Sequence, residues 1–155
     1  MSNKVKVLAS ALVLSLSGLA FISASEGKRN VGYYDAVGVP TSCVGHTGPD
    51  VKVGKFYSDA VCEDLLRKDT ASAQRDVKRL LTAKVTQQQY DALVSFTFNV
   101  GSKNLASSTL LKKANAGDCQ GAALEFLRWD RAKGVILPGL MTRRKAESEM
   151  WASGC

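Results

Sequence analysis

The sequence predicts an α+β fold: a small antiparallel β lobe, a larger helical lobe with a cleft between them, and an N-terminal apolar helix ahead of both. Three observations predict it. Residues 7–24 carry no charged side chain. Residues 30–57 alternate short Val, Tyr and Thr runs with turn glycines, the pattern of a small hairpin region. From Ser58 to the end, apolar residues recur at helical spacing. At 155 residues the chain can hold one domain with a real core, and the 45% apolar and 23% charged fractions are ordinary for a globular protein.

The elements follow in order. MSNKVK supplies Lys4 and Lys6 without an acid, and VLASALVLSLSGLAFISA follows. A basic start followed by an apolar run is the plan of an export signal, with Ile22-Ser23-Ala24 as a cleavage site. The run is also just long enough to cross a bilayer as a helix, though Ser10, Ser15, Ser17, Gly18 and Ser23 dilute it. Cleaved signal, permanent anchor and an anchor weak enough to leave the membrane all fit that composition. In each case the lysines place the N-terminus in the cytoplasm and export the rest, so the boundary divides residues 1–24 from a domain at 25–155. Within that domain, Val31-Gly-Tyr-Tyr-Asp and Thr41-Ser-Cys-Val-Gly-His read as extended runs. Ser58 caps a helix to about Leu81, and Thr86-Gln-Gln-Gln89 is a capping box opening a helix through Val100 that is apolar on nearly every side. Shorter helices are expected at about 106–115, at 119–129 behind Asp118, and at 138–152 behind Pro138. Trp129, Trp151, Met141 and Met150 read as core.

The formal net charge is +7, and residues 25–155 carry 19 basic against 14 acidic side chains, a balance of +5. A basic surface attracts polyanions such as acidic wall polymer or anionic membrane. The cations are scattered, with no block interleaved with stacking aromatics, so nucleic acid is not expected as a partner. Cys43, Cys62, Cys119 and Cys155 form an even set beyond the apolar run, consistent with disulfides in an oxidising compartment. Of the three pairings, Cys43 with Cys62 and Cys119 with Cys155 is favoured, because each closes a modest loop within one half of the domain. With a single histidine and no C-x-x-C, no metal site and no cofactor are expected.

Hydrolysis of a glycosidic bond requires one protonated carboxyl for the leaving oxygen and one ionised carboxyl to steer water or stabilise positive charge. Glu26 and Asp35 fit those roles if a hairpin folds Asp35 back toward Glu26, and the Thr41 hydroxyl is placed to hold the water. Glu26-Gly27, Tyr33-Tyr34-Asp35, Gly38, Thr41 and Gly45-His46-Thr47 together resemble the signature of the phage-type lysozymes, glycoside hydrolase family 24. Phe96-Thr-Phe-Asn-Val-Gly101, Ser108-Thr-Leu-Leu111, Gly117-Asp118, Phe126-Leu-Arg-Trp129 and Pro138-Gly-Leu-x-Thr-Arg-Arg144 with Glu147 continue it in the same order. The resemblance covers about residues 25–152. It implies a lysozyme-like fold, with Glu26 as general acid and with Asp35 and Thr41 acting on the attacking water. It implies a structural His46 and, more loosely, a saccharide groove containing Thr47, Phe98 and Thr109. Arg143 and Arg144 would meet muramyl-peptide carboxylates, or cap and solvate the last helix.

The apolar opening makes the chain similar to the lambdoid-phage endolysins that carry a signal-anchor-release segment. In the family, the general-acid Glu ends the first helix of the folded domain, which here would be built from residues 15–25. Cleavage after Ala24 would leave Glu26 without that helix and beside a new ammonium, which favours the ionised carboxylate over the acid. While residues 7–24 lie in the bilayer, Glu26 cannot reach Asp35. The segment is therefore expected to anchor the enzyme in the host inner membrane facing the periplasm, then to leave and refold with it. The implied activity is hydrolysis of the β-1,4 bond between N-acetylmuramic acid and N-acetylglucosamine in peptidoglycan by a monomer, causing host lysis. The rivals are a lytic transglycosylase on the same polymer and a non-enzymatic membrane- or wall-binding protein.

Overall fold

Thr86 opens the central helix of the molecule. Its hydroxyl accepts from the Gln89 N–H at 3.2 Å, and Gln89 Oε1 accepts from the Thr86 N–H at 3.0 Å, which satisfies two of the donors a helix start leaves open. The computed structural model describes residues 4–155. Their helices are α1 (Leu16–Glu26), α2 (Asp59–Leu80), α3 (Gln87–Val100), α4 (Ser102–Ser107), α5 (Thr109–Asn115), α6 (Cys119–Phe126) and α7 (Pro138–Ala152). The strands are β1 (Arg29–Tyr34), β2 (Pro40–Cys43) and β3 (His46–Thr47), forming one antiparallel sheet in that order, and the pair β4 (Arg131–Ala132) and β5 (Val135–Ile136). The chain divides into two compact units, Leu19–Ala71 and a second made of the residues through Gly18 together with Ser72–Cys155.

In the second unit α3 is buried from Gln89 through Thr97, as its all-round apolar pattern requires. α7 packs on it, and α6 packs on both α5 and α7. Phe96 meets Phe126 and Trp129 edge to face, each at 5.4 Å between ring centroids, and Trp151 closes on Phe126 at 6.1 Å. Each fully buried ring of this kind is worth about 1.5–3 kcal/mol in transfer free energy. Cys119 and Cys155 are disulfide-bonded, fastening the end of the chain to the start of α6.

Several expectations are corrected here. The helix expected at 106–115 begins earlier and is broken in two, because the Ser108 hydroxyl accepts from the Leu111 N–H at 3.0 Å and starts α5 afresh. The helix expected to reach residue 129 ends at Phe126, and the β4–β5 hairpin follows. The apolar run is not one helix: Val7 bridges Val85, a 3-10 turn covers Ala9–Ala11, and only from Leu16 is the chain α-helical. No helix of the described residues is long and apolar enough to cross a membrane. Met141 is half exposed rather than core, and Trp129 is only partly buried.

Arg143 and Arg144 neither cap nor solvate α7. They are 6% and 0% exposed and converge on Glu147, itself fully buried. Arg143 Nε lies 3.2 Å from Glu147 Oε1, and Arg144 Nε 3.0 Å from Oε2. Ser95 Oγ donates to Glu147 at 2.7 Å, and Arg144 donates to Asn99 Oδ1 at 2.7 Å. Burial pushes the Glu147 carboxyl up, while Arg144, Ser95 and Arg143 pull it back down.

Candidate active site

Glu26 is the last residue of α1. The helix stops there because Gly27 takes φ +79°, a conformation an L side chain resists, while its N–H donates to Ser23 O at 2.9 Å. β1 starts two residues later. Its outer edge admits the Lys52–Tyr57 segment closely because Gly32 has no Cβ; one there would collide with Lys52 O. The backbone bonds Gly32 N–H to Lys55 O at 2.9 Å and Tyr57 N–H to Asn30 O at 2.6 Å complete that edge.

β1 and β2 form the hairpin that carries the other two candidates. Tyr33 stands opposite Thr41, and Tyr34 opposite Pro40. At the turn, the Asp35 N–H donates to Val39 O at 3.0 Å, and Gly38, at φ +83°, donates to Asp35 O at 3.0 Å. The Asp35 carboxylate is held as well: Oδ1 accepts from the Val37 and Val39 N–H groups at 2.9 and 2.8 Å. Its Oδ2 takes no hydrogen bond from the described residues. Thr41 is buried, and its hydroxyl donates to Val39 O at 2.9 Å, leaving its lone pairs to accept. Asp35 at the turn and Thr41 on β2 are thus both tied to Val39, with Glu26 in the same unit at the end of α1.

Two further groups brace the hairpin. Cys43, at the end of β2, is disulfide-bonded to Cys62 on α2, and both are buried against Tyr57 and Leu65. His46 on β3 is flanked by two carboxylates, with Nδ1 2.8 Å from Asp69 Oδ2 and Nε2 3.1 Å from Asp50 Oδ2. Burial of the ring opposes its charge, but the hydrogen bonds to Asp69 and Asp50 outweigh that and raise its pKa. His46 therefore bridges β3 to α2. Asp50 and Asp69 carry no motif, and in the sequence only their reach to a lone histidine could single them out.

The looser binding candidates are each placed within their own unit. Thr109 lines a cavity of about 310 Å³ with Glu125, Arg128 and Trp129 in the second unit. Phe98 is half-buried near the end of α3 and is not among those lining residues, and Thr47 is exposed on β3. Among the described residues no group of three or more His, Cys, Asp or Glu side chains is placed to hold a metal ion.

Comparison with known proteins shows which family the chain is similar to. The family model described as phage lysozyme matches residues 23–147. The SAR-endolysin of Bacteriophage PS119 is 43% identical over 125 residues, covering 81% of this chain and 75% of that protein. A crystal structure of a P22 lysozyme mutant superposes with a TM-score of 0.86 at 33% identity, covering 90% of this chain and 98% of that one. The endolysin from Escherichia coli O157:H7 phage FAHEc1 superposes with a TM-score of 0.84, also at 33% identity, over 90% of this chain and 93% of that one. The fold is lysozyme-like, and the chain belongs to the phage lysozyme family.

Proposed function

We propose that this endolysin hydrolyses the β-1,4 bond between N-acetylmuramic acid and N-acetylglucosamine, with Glu26 as general acid and with Asp35 and Thr41 acting on the attacking water. Protonated Glu26 gives its proton to the leaving glycosidic oxygen as the C1–O bond breaks. Water adds to C1 from the opposite face, and its proton passes to Asp35. The observation that carries this reading is the division of labour within the Asp35 carboxylate. Oδ1 is fixed by two backbone N–H groups, and Oδ2 is left to hold and deprotonate a water. Thr41, with its proton committed to Val39 O, offers an acceptor for the same water. The polymer's destruction lyses the host.

A lytic transglycosylase would use the acid but close the muramyl 6-hydroxyl onto C1, and has no need of a fixed water site. Product analysis separates the two, reducing-end muramic acid for hydrolysis and 1,6-anhydro muramic acid for the alternative. The direct test is turbidity loss of outer-membrane-permeabilised Gram-negative cells. Glu26→Gln should reduce the rate by ~10²–10⁴-fold, and near-normal lysis by that variant would end the glycosidase reading.

Residues 1–24 are read as a signal-anchor-release segment ahead of the lysozyme domain at 25–155. They first hold the enzyme in the inner membrane, facing the periplasm, with a cytoplasmic N-terminus. The segment then leaves the bilayer, and its second half becomes α1, the helix that ends in Glu26. Peptidoglycan is the one macromolecular substrate, and the released enzyme acts as a monomer.

A further inference from the structure

Asp91 lies in the second turn of α3 and is 2% exposed, yet the proposed chemistry does not use it. It faces the approach to α1. Its Oδ1 accepts from the Ser15 N–H at 3.1 Å and from Gln87 Nε2 at 2.9 Å, and its Oδ2 accepts from the Ser15 hydroxyl. Ser15 Oγ in turn accepts from the Gly18 N–H at 3.0 Å, the capping bond of α1. Two amides extend the attachment. Gln74 Oε1 accepts from the Leu14 N–H at 2.9 Å, and Gln87 Nε2 donates to Val13 O at 2.8 Å. Tyr90 holds Gln74 in place through its hydroxyl, at 3.1 Å.

Close approach at this point depends on Gly18. A Cβ there would lie 2.7 Å from Leu14 Cδ1 and 2.8 Å from Asp91 Cγ. Residues 13–18 are therefore held by a polar seat together with the buried side chain of Leu14. Leu16 and Val13, on either side of Leu14 and Ser15, remain exposed.

A buried carboxylate is costly unless its oxygens are hydrogen-bonded. With residues 7–24 in a bilayer, Ser15 is absent from Asp91, and two of its three hydrogen bonds are unmade. Docking restores them, so Asp91 interacts differently with the two states and can bias the choice between them. It also sets geometry. α1 advances about 1.5 Å per residue, so fixing its first turn fixes how far along its axis Glu26 lies.

We propose that Asp91 is a positioning residue, which captures the first turn of α1 after release and thereby places Glu26 for its work as general acid. This rests on reading Glu26 as the acid and α1 as the former membrane segment. Full-length released protein would be compared as wild type, Asp91→Ala, Asp91→Asn and Ser15→Ala, by kcat and KM on peptidoglycan and by amide exchange. In Asp91→Ala, kcat should fall about tenfold or more with KM within about twofold, the signature of a misplaced catalytic group. Exchange within 16–26 should quicken about tenfold while α5, α6 and α7 keep their protection. Asp91→Asn, which retains one acceptor oxygen, should recover most of kcat. Should Asp91→Ala fail to fold, Ser15→Ala must show the same split, since it leaves α3 untouched. Wild-type kcat and α1 exchange in Asp91→Ala, or in Ser15→Ala taking its place, would overturn the proposal. Glu26→Gln keeps the two readings apart: it should be inactive with wild-type α1 exchange. If it is active, the general-acid assignment fails while the exchange data still decide the docking.

Discussion

Asp35 commits one carboxylate oxygen to its own turn and leaves the other to solvent, so chemistry and structure can be separated by a single atom. In Asp35→Asn the amide oxygen can still accept from Val37 and Val39, and the hairpin should survive. The proposed base is gone, and activity should drop by ~10²–10⁴-fold at an unchanged Tm. A large fall in Tm would mean that the carboxylate's charge holds the turn. Thr41→Ala should cost less activity, since it removes one acceptor and one hydrogen bond to Val39 O. His46 gives the opposite kind of test, one of stability rather than rate. Burial works against its charge, yet Asp69 and Asp50 raise its pKa in the folded state. A raised histidine pKa contributes stability that is fully present below the unfolded value and is lost as pH rises through the folded value. The Tm difference between wild type and His46→Gln should therefore be larger near about pH 5.5 than near about pH 8.5. A difference independent of pH would show that the ring packs without carrying charge.

At the scale of elements, the hairpin rests on a small buried cluster of Cys43, Cys62 and Tyr57, with Leu65 at the margin. The Cys43–Cys62 bond closes a separation of 19 residues, and chain-entropy arguments value such a closure at about 3 kcal/mol. Replacing both cysteines by serine should lower stability by about 2–4 kcal/mol, with proteolysis starting in the β lobe. Equal denaturation midpoints for the two proteins would contradict this. The larger elements were legible because each announces itself locally. Ser58, Thr86 and Asp118 are capping residues, and Pro138 starts α7 where a missing N–H does no harm. The roles proposed for Glu26, Asp35 and Thr41 come only through resemblance, because two acids nine residues apart carry no local signal of catalysis. What escaped was decided by distant partners. Arg143 and Arg144 look like surface residues until Glu147, Ser95 and Asn99 are brought to them. Glu147→Gln removes the carboxylate that both guanidinium groups share, and should destabilise by about 3–5 kcal/mol. A loss under about 1 kcal/mol in urea unfolding would mean that the pair contributes specificity rather than stability.

For the whole molecule, the proposed release asks one stretch of sequence to serve two solvents. Val5, Leu8, Val13 and Leu16 are all exposed in the folded chain, while Ala9, Leu14, Leu19 and Ile22 are buried. The exposed set adds little to the core, and under the proposed anchoring it is what would favour entry of the same stretch into a bilayer. Substitutions can therefore test membrane affinity without disturbing docking, provided they avoid Ser15 and Gly18, whose places in the fold are tightly specified. Ser17 and Ala20 are exposed on α1 and suit the purpose. Leucine at both should lower the insertion free energy by a few tenths of a kcal/mol or more per site and leave the catalytic residues intact. That variant should stay in the membrane fraction and fail to lyse cells from the periplasm, yet regain activity when extracted and refolded without lipid. Periplasmic wild-type protein should carry residues 16–24 when analysed by mass spectrometry, with no species beginning at Ser25. A chain truncated to start at Ser25 lacks nine of the 11 residues of α1 and should be poorly active. Full activity from that truncation would mean that Glu26 needs no helix to hold it. The apolar run would then be an export signal and nothing more.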